Sequence, residues 1–272
     1  MSFTTLKLLV KAIAPVHVGY YHKMGILDRC LPYIPGWCMA AAVLYIAAIR
    51  YNTTPQNIKK SIEQCTRFHY MFVKDRSELL TPRYEKSGLF LGSLPLEEFR
   101  RKFMTIYEAT AVDKYSRTAS EGLLHAIEAF KRNTTFETKI TILEDKHIEK
   151  PFESHDDLIS LIKNLRKIWI GGERTSGYGL MTIKKVEESA EELTTHIEPN
   201  KNYIALSHIK LADIQKANCK IIRGDISRLF RYGIPSDTCL SLHLEPGTIF
   251  KTSSPIKIYP TFDGRNICEA SP

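Results

Sequence analysis

The chain has 272 residues, with 38 Lys+Arg against 30 Asp+Glu, a net charge of +8 and 43% hydrophobic residues. These proportions suit one large or two small globular cores and exclude a disordered chain, a collagen and a cysteine-stapled miniprotein. The longest apolar run, residues 37–49, is shorter than the roughly 20 residues a bilayer requires and reads as a buried helix. No secretory pattern opens the chain, and six Cys without a CxxC pair read as reduced thiols. A cytoplasmic protein with no membrane partner is the expectation.

Residues 4–14 predict a first strand, and the Pro- and Gly-rich loop 15–36 follows. A helix buried on nearly every side is expected from about 38 to 51, and a second over 55–65, capped by Thr54 with Pro55 in its first turn. Over 96–110 the spacing of Phe99, Phe103, Ile106 and Tyr107 predicts a helical stripe. Residues 136–143 alternate as a strand. Ser154 and the acids after it open an amphipathic helix whose apolar stripe runs to Ile168. The glycine-rich stretch 171–179, GGERTSGYG, then leads into a strand.

Residues 1–186 carry 28 Lys+Arg and 19 Asp+Glu, whereas 187–200 carry five Glu and no Lys or Arg, and 201–272 carry ten basic and six acidic residues. The acidic stretch reads as a connection between two units. Strands are expected beyond it at 202–209, 219–223, 238–244, 247–251 and 255–260, with a short helix near 211–217. The first unit, 1–186, gives the βαββαβ order of a ferredoxin-like, RRM-like α+β fold, with a helical insert at about 52–133. The second, 201–272, reads as a reduced, β-rich, RRM-like domain. The excess of positive charge on both sides of the connection favours a polyanion such as nucleic acid.

The glycine-rich stretch carries the most local chemistry. Gly171, Gly172, Gly177 and Gly179 permit close approach of backbone to a ligand and a nest of N–H groups for an anion. Arg174, Thr175, Ser176 and Tyr178 add a guanidinium, two hydroxyls and an aromatic face, suited to RNA backbone and a stacked base, while a plain turn remains the alternative. The stretch follows a helix and precedes a strand, the reverse of a Walker or Rossmann loop, so a mononucleotide cofactor is not expected.

Four segments in order, AIAPVHVGYYHKMGILDRCLPYIPG at 12–36, VDKYSRTASEGLL at 112–124, GGERTSGYG at 171–179 and LEPGTIF at 244–250, resemble the RAMP superfamily of CRISPR-associated proteins. The arrangement is most similar to type III effector subunits that cap the 5′ end of the guide RNA. The resemblance implies guide RNA as ligand, target RNA as a further one, and a large polymerase-like subunit and RAMP backbone subunits as partners. It assigns Gly171 to Gly179 to the glycine-rich loop, Tyr33, Ile34, Pro35 and Gly36 to the turn into the first helix, and Asp113, Arg117, Thr118 and Gly122 to an inserted segment lying on RNA. Here the Pro-Gly turn continues with Trp37, Cys38, Met39 and Ala40, offering phosphate no Lys.

The resemblance also implies two enzymatic alternatives to a non-catalytic RNA-binding role. Asp28 could hold Mg²⁺ against a scissile phosphate of target RNA. His17 and Lys23 read first as RNA contacts; as the alternative, His17, with His22 and Lys23 close in sequence, could process guide RNA without metal. Neither a cofactor nor a metal is expected otherwise. Cys65 and His69 have metal-ligand spacing but no second pair, and read as a buried thiol and a surface imidazole.

Overall fold

The computed structural model describes residues 2–19, 26–112, 119–190, 193–229 and 241–270. The elements of the first unit are β1 (Phe3–Ala12), α1 (Gly36–Arg50), α2 (Pro55–Cys65), β2 (Thr66–Phe68), β3 (Phe72–Asp75), α3 (Leu96–Phe103), β4 (Met104–Val112), β5 (Ala119–Phe130), β6 (Thr135–Leu143), α4 (His155–Lys163), β7 (Lys167–Trp169) and β8 (Leu180–Ser189). The main sheet runs β7-β8-β1-β6-β3, with strand Glu78–Leu80 beyond β3 and β2 also on β6. Every pairing in it is antiparallel. Taking β2 and β3 as one interrupted strand, this is the strand order of the ferredoxin-like fold.

Alternation along β1 sends Leu6, Leu8, Val10 and Ala12 to one face, all fully buried. Their partners Ile140, Thr138 and Phe136 on β6 face the same way. Side chains of α1, α2 and α4 complete that core. The termini of these helices follow their sequences. Thr54 accepts a hydrogen bond from the Asn57 N–H, and Ser154 and Asp157 form a reciprocal capping box.

Three expectations need correcting. The helix over 96–110 ends at Phe103, and Met104 onward is strand, pairing with β5 from Met104 opposite Phe130 to Thr110 opposite Leu124. Thr105 and Ile106 are β-branched and suit a pleated strand, and Ile106 is 54% exposed, where a helical stripe would bury it. The insert expected at about 52–133 is therefore helical only in α2 and α3, and the rest of its described residues are mainly strands. The stripe drawn through Ile168 also fails. Helix α4 stops at Lys163, and Ile168 lies buried on β7 opposite Met181.

The second unit has its own core around Ile209, Ile214, Leu244, Phe250, Ile256 and Ile258. It is β-rich, with its chain in a six-stranded and a three-stranded sheet beside the short helix Leu211–Lys216. Two Pro-Gly turns join the units. The Tyr33 hydroxyl donates to Glu245 at 2.9 Å, and Tyr70 Oη pairs with His208 Nδ1 at 2.6 Å, while His208 Nε2 stands 3.5 Å from Glu245. Trp37 packs against both Tyr70 and His208. At Gly36 the backbones nearly touch: an added Cβ would come within 2.5 Å of Phe68 O and 2.8 Å of Gly264 Cα. The Pro-Gly turn before α1 is thus filled by the second unit.

Burial raises the Glu245 carboxyl, but bonds from His208, Ser227 and Tyr33 outweigh it and hold the group below its usual range. Burial also lowers His243, which stacks edge-on against His208, to about 4 from 6.5. Below pH 6.5 the unfolded chain then takes up a proton that the folded His243 refuses, so folding stability falls as pH drops from about 6.5 towards 4. His243→Gln should flatten the dependence of melting temperature on pH across that window. An unchanged slope would show that His243 is not the group responsible.

Candidate RNA interface

The glycine-rich stretch is the tip of a β-hairpin, because β7 intervenes between α4 and the loop and pairs with β8. A strap of residues 13–19 runs beside it and is sewn to it by backbone alone. Gly179 N–H donates to Pro15 O at 2.7 Å, Gly172 N–H to His17 O at 3.0 Å, and the Ile13 and Ala14 N–H groups to Leu180 O at 2.9 and 3.1 Å. Gly171 has φ +88°, and a Cβ there would lie 2.0 Å from His17 O.

These bonds alter the expected anion nest. The N–H groups of Gly172, Ser176, Gly177, Tyr178 and Gly179 are all spent on protein carbonyls. What the hairpin turns outward is the single 3₁₀ turn Arg174–Ser176, whose three side chains are exposed. Arg174 Nε bonds Gly171 O at 3.1 Å, which orients the guanidinium while leaving its terminal nitrogens turned from that bond. Its charge reaches the start of α1: burial pushes the Cys38 thiol up to about 12, and Arg174 opposes that rise. Tyr178 packs edge-on against Tyr107 of β4, with ring centroids 5.6 Å apart, and so rests the hairpin on the insert. Burial, then Tyr107 and Glu173, raise its hydroxyl pKa.

His17 and Asp28 come to the same place. His17 is 5% exposed, and its Nδ1–H donates to Glu128 O at 2.7 Å while Nε2 stands 3.9 Å from Asp28 Oδ2. The ring is turned inward, so His17 braces the strap and exposes little imidazole to a ligand. Asp28 sits in the two-residue strand Leu27–Asp28, parallel to β5 at Ala126 and Ile127, with its side chain 28% exposed. Glu128 anchors the whole assembly. Its carboxylate is ion-paired with Arg100 of α3 and accepts the Cys30 N–H at 2.9 Å. Removing either partner of that buried pair would leave the other unpaired, at a cost of about 3–5 kcal/mol. Nothing in the local sequence pattern marks Glu128, since its role depends on a contact 98 residues away in the chain.

Lys23, Asp113, Arg117 and Thr118 lie outside the described residues, and Gly122 lies on β5. The described part of the insert meets the hairpin through Tyr107 of β4, against Tyr178. Cys65 and His69 do not converge: Cys65 is buried with its thiol on His147 O, and His69 Nε2 lies 3.3 Å from Thr141 Oγ1. The aromatic residues Phe68, Tyr70 and Phe72 beside them are buried in the core. Among the described residues no three His, Cys, Asp or Glu side chains gather as metal ligands, and no helix is long and apolar enough to cross a membrane.

The sheet order and hairpin together define an α+β protein of ferredoxin-like fold with a β-rich second unit. No protein-family model matches the chain, and no curated protein matches it. Solved structures do. A chain of the type III-B Cmr-β complex bound to cognate target RNA and AMPPnP, seen by cryo-EM, superposes with a TM-score of 0.58 at 17% identity, over 90% of this chain and 86% of that one. A chain of Cmr-β bound to cognate target RNA gives 0.58 at 15% identity over the same shares. At these identities the likeness establishes the fold.

Because the strap meets the hairpin through His17 O, Gly171→Ala should displace the two segments while leaving the rest of the fold intact. The measurement is hydrogen exchange at the Gly172 and Gly179 amides, which should lose protection relative to β1. Retained protection at both would mean the close approach is not what holds the hairpin.

Proposed function

We propose that this protein is an RNA-binding structural subunit of a type III CRISPR effector complex in antiviral defence. On this reading it holds the 5′ part of the guide RNA and contacts the large polymerase-like subunit and a RAMP backbone subunit. The observation that carries the reading is the convergence of strap, glycine hairpin and insert, with Arg174, Thr175 and Ser176 displayed on the outer turn. The likeness of the fold to chains of Cmr-β complexes bound to target RNA supports it. Arg174 supplies a forked cation for phosphate, and the two hydroxyls can meet phosphate or 2′-OH groups.

Gel-shift titration with a guide RNA carrying a repeat-derived 5′ handle tests this. Arg174→Ala should weaken binding and lower the salt slope by about 0.7, the contribution of one phosphate contact on a single strand. Gly177→Asp places a negative charge on the turn at a point where an added Cβ meets no protein atom but, at φ +84°, strains the backbone, and should weaken binding further; circular dichroism checks that the variant is folded. Parent-like binding by both variants would remove the hairpin from the interface.

The 3.9 Å approach of His17 and Asp28 beside the hairpin supports a second reading, metal-assisted cleavage of target RNA. Asp28 would contribute one carboxylate to a Mg²⁺ otherwise held by water and substrate phosphate. Labelled target RNA incubated with Mg²⁺ or EDTA separates the readings. The structural reading expects no cuts, whereas metal-dependent cuts lost in Asp28→Ala would establish the enzyme.

A further inference from the structure

The face of the main sheet opposite the helices carries a pattern that the hairpin does not use. Lys11 on β1 stands opposite Thr135 of β6 on one side and Thr182 of β8 on the other, and Thr182 stands opposite Lys167 of β7. Continuing the register of Val73 opposite Phe136 by one residue sets Lys74 of β3 beside Thr135. A transverse row, Lys74, Thr135, Lys11, Thr182, Lys167, therefore crosses five strands, spanning roughly 19 Å at ~4.8 Å per strand. All five side chains are at least partly exposed. Their strand neighbours Val73, Phe136, Ala12, Met181 and Ile168 are buried on the helix side.

Charge on this face is predominantly positive. Lys7 stands directly opposite Lys139, a like-charge pairing that disfavours the folded sheet. Glu137 lies between them and the row, 3.0 Å from Lys7 and 3.5 Å from Lys74. Lys185 joins the same face opposite Leu9 and pairs with Glu187. Lys11 and Lys167 enter none of the ion pairs among the described residues. At the β7 end Trp169 is 42% exposed, two residues from Lys167 and two before Gly171. A regular line of cations separated by hydroxyls, ending at an exposed indole, matches a polyanionic strand with bases that can stack. An acidic protein partner would instead need an apolar centre ringed by charge.

We infer that this open sheet face is a second contact for single-stranded RNA, continuous with the hairpin: a strand leaving the Arg174 turn passes Trp169 and crosses the lysine–threonine row. The inference rests on the RNA-binding reading of the protein and extends it to a surface built from different residues. Lysines 11, 167 and 74 meet phosphates, Thr182 and Thr135 meet phosphate or 2′-OH oxygens, and Trp169 stacks a base.

Fluorescence anisotropy with a labelled, unstructured 20-nucleotide oligouridylate tests it, with circular dichroism confirming that each variant is folded. Lys11→Gln with Lys167→Gln should lower the salt slope by about 1.4, so that the parent loses about sevenfold more affinity than the double variant between 50 and 200 mM salt. RNA should also quench tryptophan fluorescence in the parent and not in Trp169→Phe. Unchanged affinity and slope in the double variant, with binding lost in Arg174→Ala, would overturn the sheet-face contact and leave the hairpin reading standing. Loss in the double variant with none in Arg174→Ala would uphold the sheet face and overturn the hairpin. Binding of polyglutamate as tightly as oligouridylate would overturn the assignment to RNA in favour of an acidic protein.

Discussion

Glu128 holds together what the sequence keeps far apart. Its backbone oxygen takes the His17 ring, and its carboxylate takes both Arg100 and the Cys30 N–H. The loop from 13 to 30 is thereby fastened near both ends to β5, and α3 is fastened with it. A buried carboxylate tolerates such a position only with its charge matched and its oxygens satisfied, which Arg100 and Cys30 accomplish together. Burial also pushes the Cys30 thiol up to about 12, so it stays protonated beside this carboxylate. With strap and insert in place, the glycine hairpin has two walls to rest on: His17 O on one side and Tyr107 on the other.

Much of the frame was legible because its signals are local. The caps at Thr54 and Ser154, the alternation of β6 and the buried run of α1 each announce themselves within a dozen residues. The ferredoxin-like order followed from them. Legibility failed where pairing partners decide the outcome. Met104 to Thr110 carries a stripe compatible with a helix, yet β5 offers a long ladder of backbone bonds, and β-branched residues accept it. Ile168 fits the period of α4 and still becomes strand, because Met181 faces it across the hairpin. The site was half legible. Glycines, Arg174, His17 and Asp28 were visible as chemistry, but that carbonyls of the strap and of the loop itself together consume most of the loop's N–H groups required the fold.

The two Pro-Gly turns illustrate how a motif can serve packing. Tyr33 of the first and Glu245 of the second share a hydrogen bond, and Gly247 of the second accepts the Tyr84 N–H of the insert through its carbonyl at 3.0 Å. Trp37, the first residue after the turn into α1, packs on Tyr70 and His208. The second unit is consequently part of the wall of the first. The buried cluster of Tyr33 and Tyr70 from the first unit with His208 and Glu245 from the second couples the orientation of the units to a few short polar contacts.

The junction of strap and hairpin is made by main-chain atoms: Pro15 O and His17 O accept from hairpin amides, and Leu180 O accepts from amides of the strap. Such a seam asks little of the side chains beside it beyond the glycines that let the chains approach. Side chains beside the seam can then change while the hairpin keeps its place. A fold can then stay the same under a very different sequence, and this chain shares its fold with the Cmr-β chains over nine-tenths of its length at 15 to 17% identity.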